Sequence, residues 1–225
     1  EPFTATIRGD KLYGRGACDM KGFIACALTL LPQAVKLSNA GQLRRPLHLA
    51  LSFDEEVGCL GAPLILEDLK ARGITPDYCI VGEPTKMTMV VAHKGISVYR
   101  CRVHGKSAHS SLTAQGVNAI SYASRLIGYA DTGIELMQEE SVPAMTDSDS
   151  AELQALIAAL TGDDQRHKVA YATEGGQFTN SGIPTIICGP GSIEQAHKAD
   201  EYVELSEITR CDGFLQKLLD SCTVN

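Results

Sequence analysis

Residues Leu47 to Cys59, LHLALSFDEEVGC, run from an apolar stretch straight into three consecutive acids, Asp54, Glu55 and Glu56. A buried strand of an open α/β sheet has this form when it delivers its last residues to a crevice. Ligand sites in such sheets lie beyond the carboxyl ends of the strands. Adjacent carboxylates repel one another, so a fold that gathers them needs a proton, a cation or open water to tolerate them. A solvated turn is the competing reading, because acids are mostly exposed.

Working outward, the same arrangement recurs. Upstream, KLYGRGACDM (11–20) leads into a helical pattern over Met20 to Leu37, with Pro32 inside it and Asp19 at its start. Asp19 either caps that helix or contributes chemistry. Downstream, Leu60 to Arg72 reads as a helix closed by Gly73, and Asp77 to Val81 as a short strand that ends in another acid, Glu83 of VGEPT. A βαβ rhythm with an acid at each strand end predicts an α/β fold whose central sheet is mostly parallel and whose carboxyl edge is studded with carboxylates.

The pattern then changes. Met87 to Val103 reads as a strand pair of antiparallel character, followed by GKSAHSS (105–111) and a helical stretch over 116–127. His109 sits in that serine-rich loop, where a histidine is either simply exposed or a working group. Tyr129 to Val142 follows without a clear turn, and two strands with one helix are too little to cover both faces of a separate module. Part of an inserted unit is therefore expected to be lacking. Beyond it, Ser148 to Leu160 reads as a helix, Val169 to Ala172 as a strand, Glu174 to Ser181 as a Gly-rich turn or short helix, and Pro184 to Cys188 as a strand. That last strand opens into GPGSIEQAHKADEYV, which carries His197 but not the glycine spacing of a phosphate loop. Ser206 to Leu219 closes the chain as a helix.

The 225 residues, 44% hydrophobic and 21% charged, suffice for one large domain or a domain with an insertion. A formal net charge of −7 argues against nucleic acid or an anionic membrane as partner. No run reads as a membrane span or signal peptide, so a cytoplasmic location is expected. The eight cysteines contain no C-x-x-C pair and are expected to be reduced packing residues.

Asp19, Glu55, Glu56 and Glu83 near successive strand ends, with His197 beyond a further strand, form a set of oxygen ligands plus an imidazole. Such a set suits zinc, manganese or cobalt better than calcium. Neighbouring side chains at a strand end point different ways, so one of Glu55 and Glu56 can hold metal while the other faces a water as general base.

The blocks LYGRGACDMKG, SFDEEVGC, VGEPT, HKG with GKSAHSS and GVNAI, and GPGSIEQAHKADEYV resemble, in order and over nearly the whole chain, the acetylornithine deacetylase and succinyl-diaminopimelate desuccinylase family of dinuclear zinc amidohydrolases. The resemblance implies a zinc-exopeptidase-like catalytic domain with an inserted α+β lid that dimerises, here residues 1–94 and 131–225 for the former and a remnant at 95–130 for the latter. It implies two Zn²⁺ per subunit, with Co²⁺ as a substitute. Asp19 would bridge the metals, Glu56 and His197 would bind one and Glu83 the other, Glu55 would be the general base, and His109 would stabilise the oxyanion from the lid, often that of the partner in a homodimer. The implied reaction is hydrolysis of N2-acetyl-L-ornithine in arginine biosynthesis. A desuccinylase, aminoacylase or metallo-carboxypeptidase is the alternative within the family, and a non-catalytic binding or dimerisation module the alternative outside it. The family's upstream H-x-D and the lid's Gly-Gly and Asn segment are not found in this sequence, so an N-terminal segment and part of the lid are expected to be lacking. Pocket residues for the substrate side chain are not legible, although Glu174 could face an amine or start a helix.

Overall fold

The computed structural model describes residues 1–125, 134–147 and 150–224. The chain divides into two compact units, one comprising Glu1–Gly95 with Val142–Asn225 and the other Ile96–Ser141.

The first unit opens with strands β1 (Thr6–Arg8) and β2 (Lys11–Tyr13), an antiparallel pair turned at Gly9. A wide helical turn over Ala17–Lys21 then leads into helix α1 (Gly22–Asn39), which contains Pro32. Ala17–Asn39 is, among the described residues, the one helix long and apolar enough to cross a membrane by length and composition, which the sequence reading did not register. One face of it packs inside the protein: Phe23 and Cys26 join Cys211, Phe214 and Leu215 in the main core. Helix α2 (Gly61–Ala71) and strands β3 (Cys79–Val81) and β4 (Val90–His93) follow.

The second unit pairs β5 (Ile96–Val103) with β6 (Ile134–Val142) and carries helix α3 (Ala119–Arg125), with an Arg100–Glu139 ion pair at 2.7 Å between the two strands. The sequence reading closes this insertion at residue 130, and its expected helix end over 126–127 and start of the 129–142 stretch lie outside the described residues. Strand β6 groups with β5 because it completes that sheet.

The chain re-enters the first unit with α4 (Ala151–Thr161), whose Ser150 hydroxyl accepts from the Leu153 N–H, then β7 (His167–Val169) and α5 (Gly175–Asn180). It ends with β8 (Thr185–Ile187), β9 (Tyr202–Glu204) and α6 (Leu205–Ser221). The central sheet runs β3-β8-β4-β7, with β3/β8 and β4/β7 parallel and β4/β8 antiparallel. A second sheet, β1-β2-β9, joins the start of the chain to its end. Ile186 and Val91 of the central sheet, with Met87 and Met89 just ahead of β4, pack against Leu153 and Ile157 of α4 and against α6. The fold is a mixed α/β architecture, as expected.

The stretch 47–53 departs from the expected buried strand. It forms no strand, and Leu47, Leu49, Leu51 and Phe53 are 37%, 37%, 58% and 56% exposed. An alternating apolar run becomes a strand only when a neighbour offers a hydrogen-bonded ladder, and none of the described residues does so here. Its end is nonetheless anchored: the Gly61 N–H donates to the Phe53 carbonyl at 3.0 Å, and a Cβ on Gly61 would lie 2.5 Å from the Phe53 nitrogen. All eight cysteines are free, and six are buried.

Candidate metal centre

Four chain segments converge here, two of them following β3 and β8. Asp19 lies in the wide turn before α1 in an extended conformation (φ −121°, ψ 96°), and no side chain caps that helix, so the capping alternative is closed. Glu55 and Glu56 occupy a single short turn flanked by two left-handed residues, Asp54 (φ 53°) and Gly58 (φ 107°). Aspartate tolerates this region and glycine is at home in it. Glu83 follows β3 and is 6% exposed. His197 sits between β8 and β9, itself left-handed (φ 57°), a conformation that a non-glycine residue keeps only where its surroundings hold it.

The structure brings Asp19, Glu56 and His197 together so that one ligand atom of each lies within 4.8 Å of the others. The His197 Nε2 is 3.0 Å from Glu56 Oε1 and 3.3 Å from Asp19 Oδ2. Glu83 shares a hydrogen bond with the Asp19 carboxyl. Burial, followed by the Asp19 charge, pushes the Glu83 carboxyl well above its ordinary range. Burial likewise raises that of Asp19. The hydrogen bond to Glu56 raises the His197 imidazole. Glu55 is half-buried beside them, with its Oε1 3.6 Å from the Cys59 thiol. Burial, then the charges of Glu56 and Asp19, push its carboxyl up to about 7.

Two buried or half-buried carboxyls hydrogen-bonded to each other, a third at the surface and an imidazole within reach make a donor set deficient in positive charge. Oxygen and imidazole donors on these terms fit a divalent transition cation. His109 belongs to the second unit, where its Nδ1 lies 2.9 Å from the Ser111 hydroxyl and the ring is exposed.

Glu174, expected either to face an amine or to start a helix, stands at the start of α5 with a buried Oε1 that has no partner, as has Gln177 one turn on. Other groups escaped the sequence reading. His93, 4% exposed, has Nδ1 2.8 Å from the Lys94 carbonyl and accepts at Nε2 from the Gly176 N–H at 3.2 Å, which fixes the start of α5. Burial lowers its imidazole below the ordinary range, in keeping with a neutral ring. Glu201, 3% exposed, was legible only as one more acid in a polar loop.

Residues 1–221 match the family described as Peptidase family M20/M25/M40. This chain belongs to that family. An acetylornithine deacetylase of Aliivibrio fischeri is 29% identical over 293 residues, covering 97% of this chain and 75% of the relative. That of Yersinia pseudotuberculosis is 30% identical over 294 residues, covering 98% and 73%. The 293 aligned positions exceed the 225 residues of this chain by 68, so the relatives carry residues within the aligned span that it does not. Among solved structures, a tripeptidase from Staphylococcus aureus superposes with a TM-score of 0.74 at 16% identity, covering 97% of this chain and 76% of the other. An M20 family metallo-carboxypeptidase from Sulfolobus solfataricus gives 0.68 at 14%, covering 97% and 79%. These likenesses establish the fold. The M20 chain is thus a metal-dependent hydrolase, and the reading as a non-catalytic module is set aside.

Proposed function

We propose that this M20 hydrolase cleaves the amide of an N-acyl amino acid, N2-acetyl-L-ornithine, to L-ornithine and acetate. The observation that carries the proposal is Glu55: a carboxyl pushed up to about 7, beside the Asp19, Glu56 and His197 donors. A general base works best with a pKa near the working pH.

Asp19, Glu56, His197 and Glu83 are the residues that would hold two divalent ions, zinc or cobalt, with Asp19 shared, Glu56 and His197 on one and Glu83 on the other. When bound, such ions supply Lewis acidity, polarising the amide carbonyl and making a water more acidic. Glu55 takes the proton from the attacking water as the water oxygen bonds to the acetyl carbonyl carbon. As the carbon–nitrogen bond breaks, Glu55 returns the proton to the departing amine nitrogen, so base and acid are one carboxyl. His109, offered by the lid of a partner subunit in a homodimer, supports the oxyanion. With L-ornithine as product, we assign the reaction to arginine biosynthesis and the enzyme to the cytoplasm. The acetylornithine deacetylase relatives support this substrate over N-succinyl-diaminopimelate or a peptide.

Amine release from N2-acetyl-L-ornithine and from N-succinyl-L,L-diaminopimelate by the zinc-loaded protein tests the reading, and the first is expected to be the better substrate. Glu55→Ala should retain metal and lose turnover by a factor of about 10² to 10⁴ or more. Near-normal turnover by that variant removes Glu55 as the base, and preference for the succinyl substrate removes the acetylornithine assignment.

A further inference from the structure

The two loops that carry Asp19 and His197 meet at the same end of one antiparallel strand pair. β2 ends at Tyr13, six residues before Asp19, and β9 begins at Tyr202, five residues after His197; Tyr13 and Tyr202 are direct partners. The ladder continues one step further, with the Gly14 N–H donating to the Glu201 carbonyl at 3.1 Å.

At that point the Glu201 side chain turns back into the Asp19 loop. Its Oε2 accepts from the Gly16 N–H at 2.8 Å and from Arg15 Nη1 at 2.8 Å. Its Oε1 accepts from the Cys18 N–H at 3.0 Å and from the N–H of Asp19 itself at 3.1 Å. Arg15 Nη2 in turn donates to the Lys198 carbonyl at 2.9 Å, next to His197. A buried carboxylate is tolerated only when its lone pairs are taken, and all four donors here come from the single loop that presents Asp19. Lys21 Nζ adds a bond to the Arg15 carbonyl at 3.0 Å, and Cys18 Sγ one to the Ser192 carbonyl at 3.2 Å.

We propose that Glu201 is a positioning residue for the candidate metal centre: its carboxylate holds the backbone from Arg15 to Asp19 and thereby sets the Asp19 carboxylate against the His197 imidazole. The inference rests on the proposed role of Asp19 and His197 as ligands. Groups that orient ligands without touching the metal alter affinity when removed, by about 10- to 100-fold. Glutamine in place of Glu201 would turn an amide NH₂ toward one pair of N–H donors, and that side of the loop would lose its acceptor. Arg15 is 40% exposed in its side chain, so its ion pair is the lesser part of the arrangement and the backbone bonds the greater.

The test is titration of the metal-free full chain with Co²⁺, read by isothermal calorimetry and by the visible absorption of the ion, which responds to ligand geometry. Glu201→Gln should weaken Co²⁺ binding by about 10- to 100-fold and change the absorption bands of the folded, loaded protein. Arg15→Met, which keeps the three backbone bonds, should change affinity by less than about threefold. Glu201→Asp, which keeps the charge but is one methylene too short to bridge both pairs of donors, should fall between them and replaces the glutamine variant if that one does not fold. Native affinity and native spectrum in the glutamine or aspartate variant, alongside normal Co²⁺ binding by the unsubstituted chain, overturn the inference while leaving the metal centre in place. Failure of the unsubstituted chain to bind Co²⁺ overturns the metal centre and the inference together.

Discussion

Glu55→Gln should make the metal-free protein more stable, and by an amount that grows with pH. The carboxyl moves from an ordinary value of 4.5 to about 7 on folding, chiefly through burial and then through the charges of Glu56 and Asp19. Below the lower value both folded and unfolded chains carry the proton and nothing is lost. Between the two values the folded chain holds the proton more tightly, so stability falls as pH rises; above the higher value both are ionised and the full penalty is present. At about 1.36 kcal/mol per pKa unit the ceiling is about 3.4 kcal/mol. Solvent reaches part of Glu55, so about 1–2 kcal/mol is the expected effect at pH 8. About a quarter of it should remain at pH 5. Glutamine is neutral throughout, keeps an oxygen to accept from the Cys59 thiol 3.6 Å away, and also relieves Glu83, whose carboxyl the Glu55 charge helps to raise. Urea unfolding in a chelator at pH 5 and pH 8 measures the difference. A gap between variant and parent that is constant across this range, or that shrinks as pH rises, refutes the reasoning.

Two other consequences concern the backbone that frames the site. A Cβ on Gly189 would lie 2.1 Å from the Gly82 carbonyl oxygen and 2.6 Å from that of Glu83. Gly189→Ala must therefore displace the end of β3, with an expected loss of about 1–3 kcal/mol in thermal unfolding together with weaker Co²⁺ binding; an unchanged melting midpoint contradicts the packing. Leu51 is 58% exposed in a run without a ladder partner, so Leu51→Ser should alter stability by less than about 0.5 kcal/mol. A measured cost above about 2 kcal/mol would mean that this run is a buried, paired strand after all.

Much of the site was legible because strand ends and glycine-bounded turns are local signals. Glu83 after CIV and His197 in the loop after TII could be placed from the chain's own periodicity, and Glu55 with Glu56 from the abrupt change of polarity. The pairing of LHLALSF was not legible, since its alternation is the same whether or not a neighbour supplies a ladder. Nor was the wide turn before α1: the apolar pattern starts at Met20, but the helix proper begins at Gly22 because Glu201 holds the preceding amides out of helical geometry. Glu201 illustrates the general difficulty. Its partners are 182 to 186 residues away in the chain, and an acid that satisfies remote backbone amides looks, in one dimension, like an acid facing water.

The cluster also differs in how firmly its members are held, and this bears on how it keeps its shape. Glu83 is 6% exposed and the Asp19 side chain 14%, so the fold has already removed most of their rotamer freedom. Glu56 and His197 are 61% and 66% exposed in their side chains and would have more to lose in any fixed geometry. What restrains them is their own contact at 3.0 Å, strengthened because the hydrogen bond to Glu56 favours the charged imidazole. The His197 ring lies between Glu56 and Asp19, where neighbouring carboxyls concentrate negative charge. The inner pair is thus arranged by backbone and burial, with Glu201 behind it, while the outer pair is arranged by charge. At the proposed metal centre a divalent cation would compete with a proton on His197 for Asp19, Glu56 and His197, so the contact that preserves the cluster is the one that metal binding would replace.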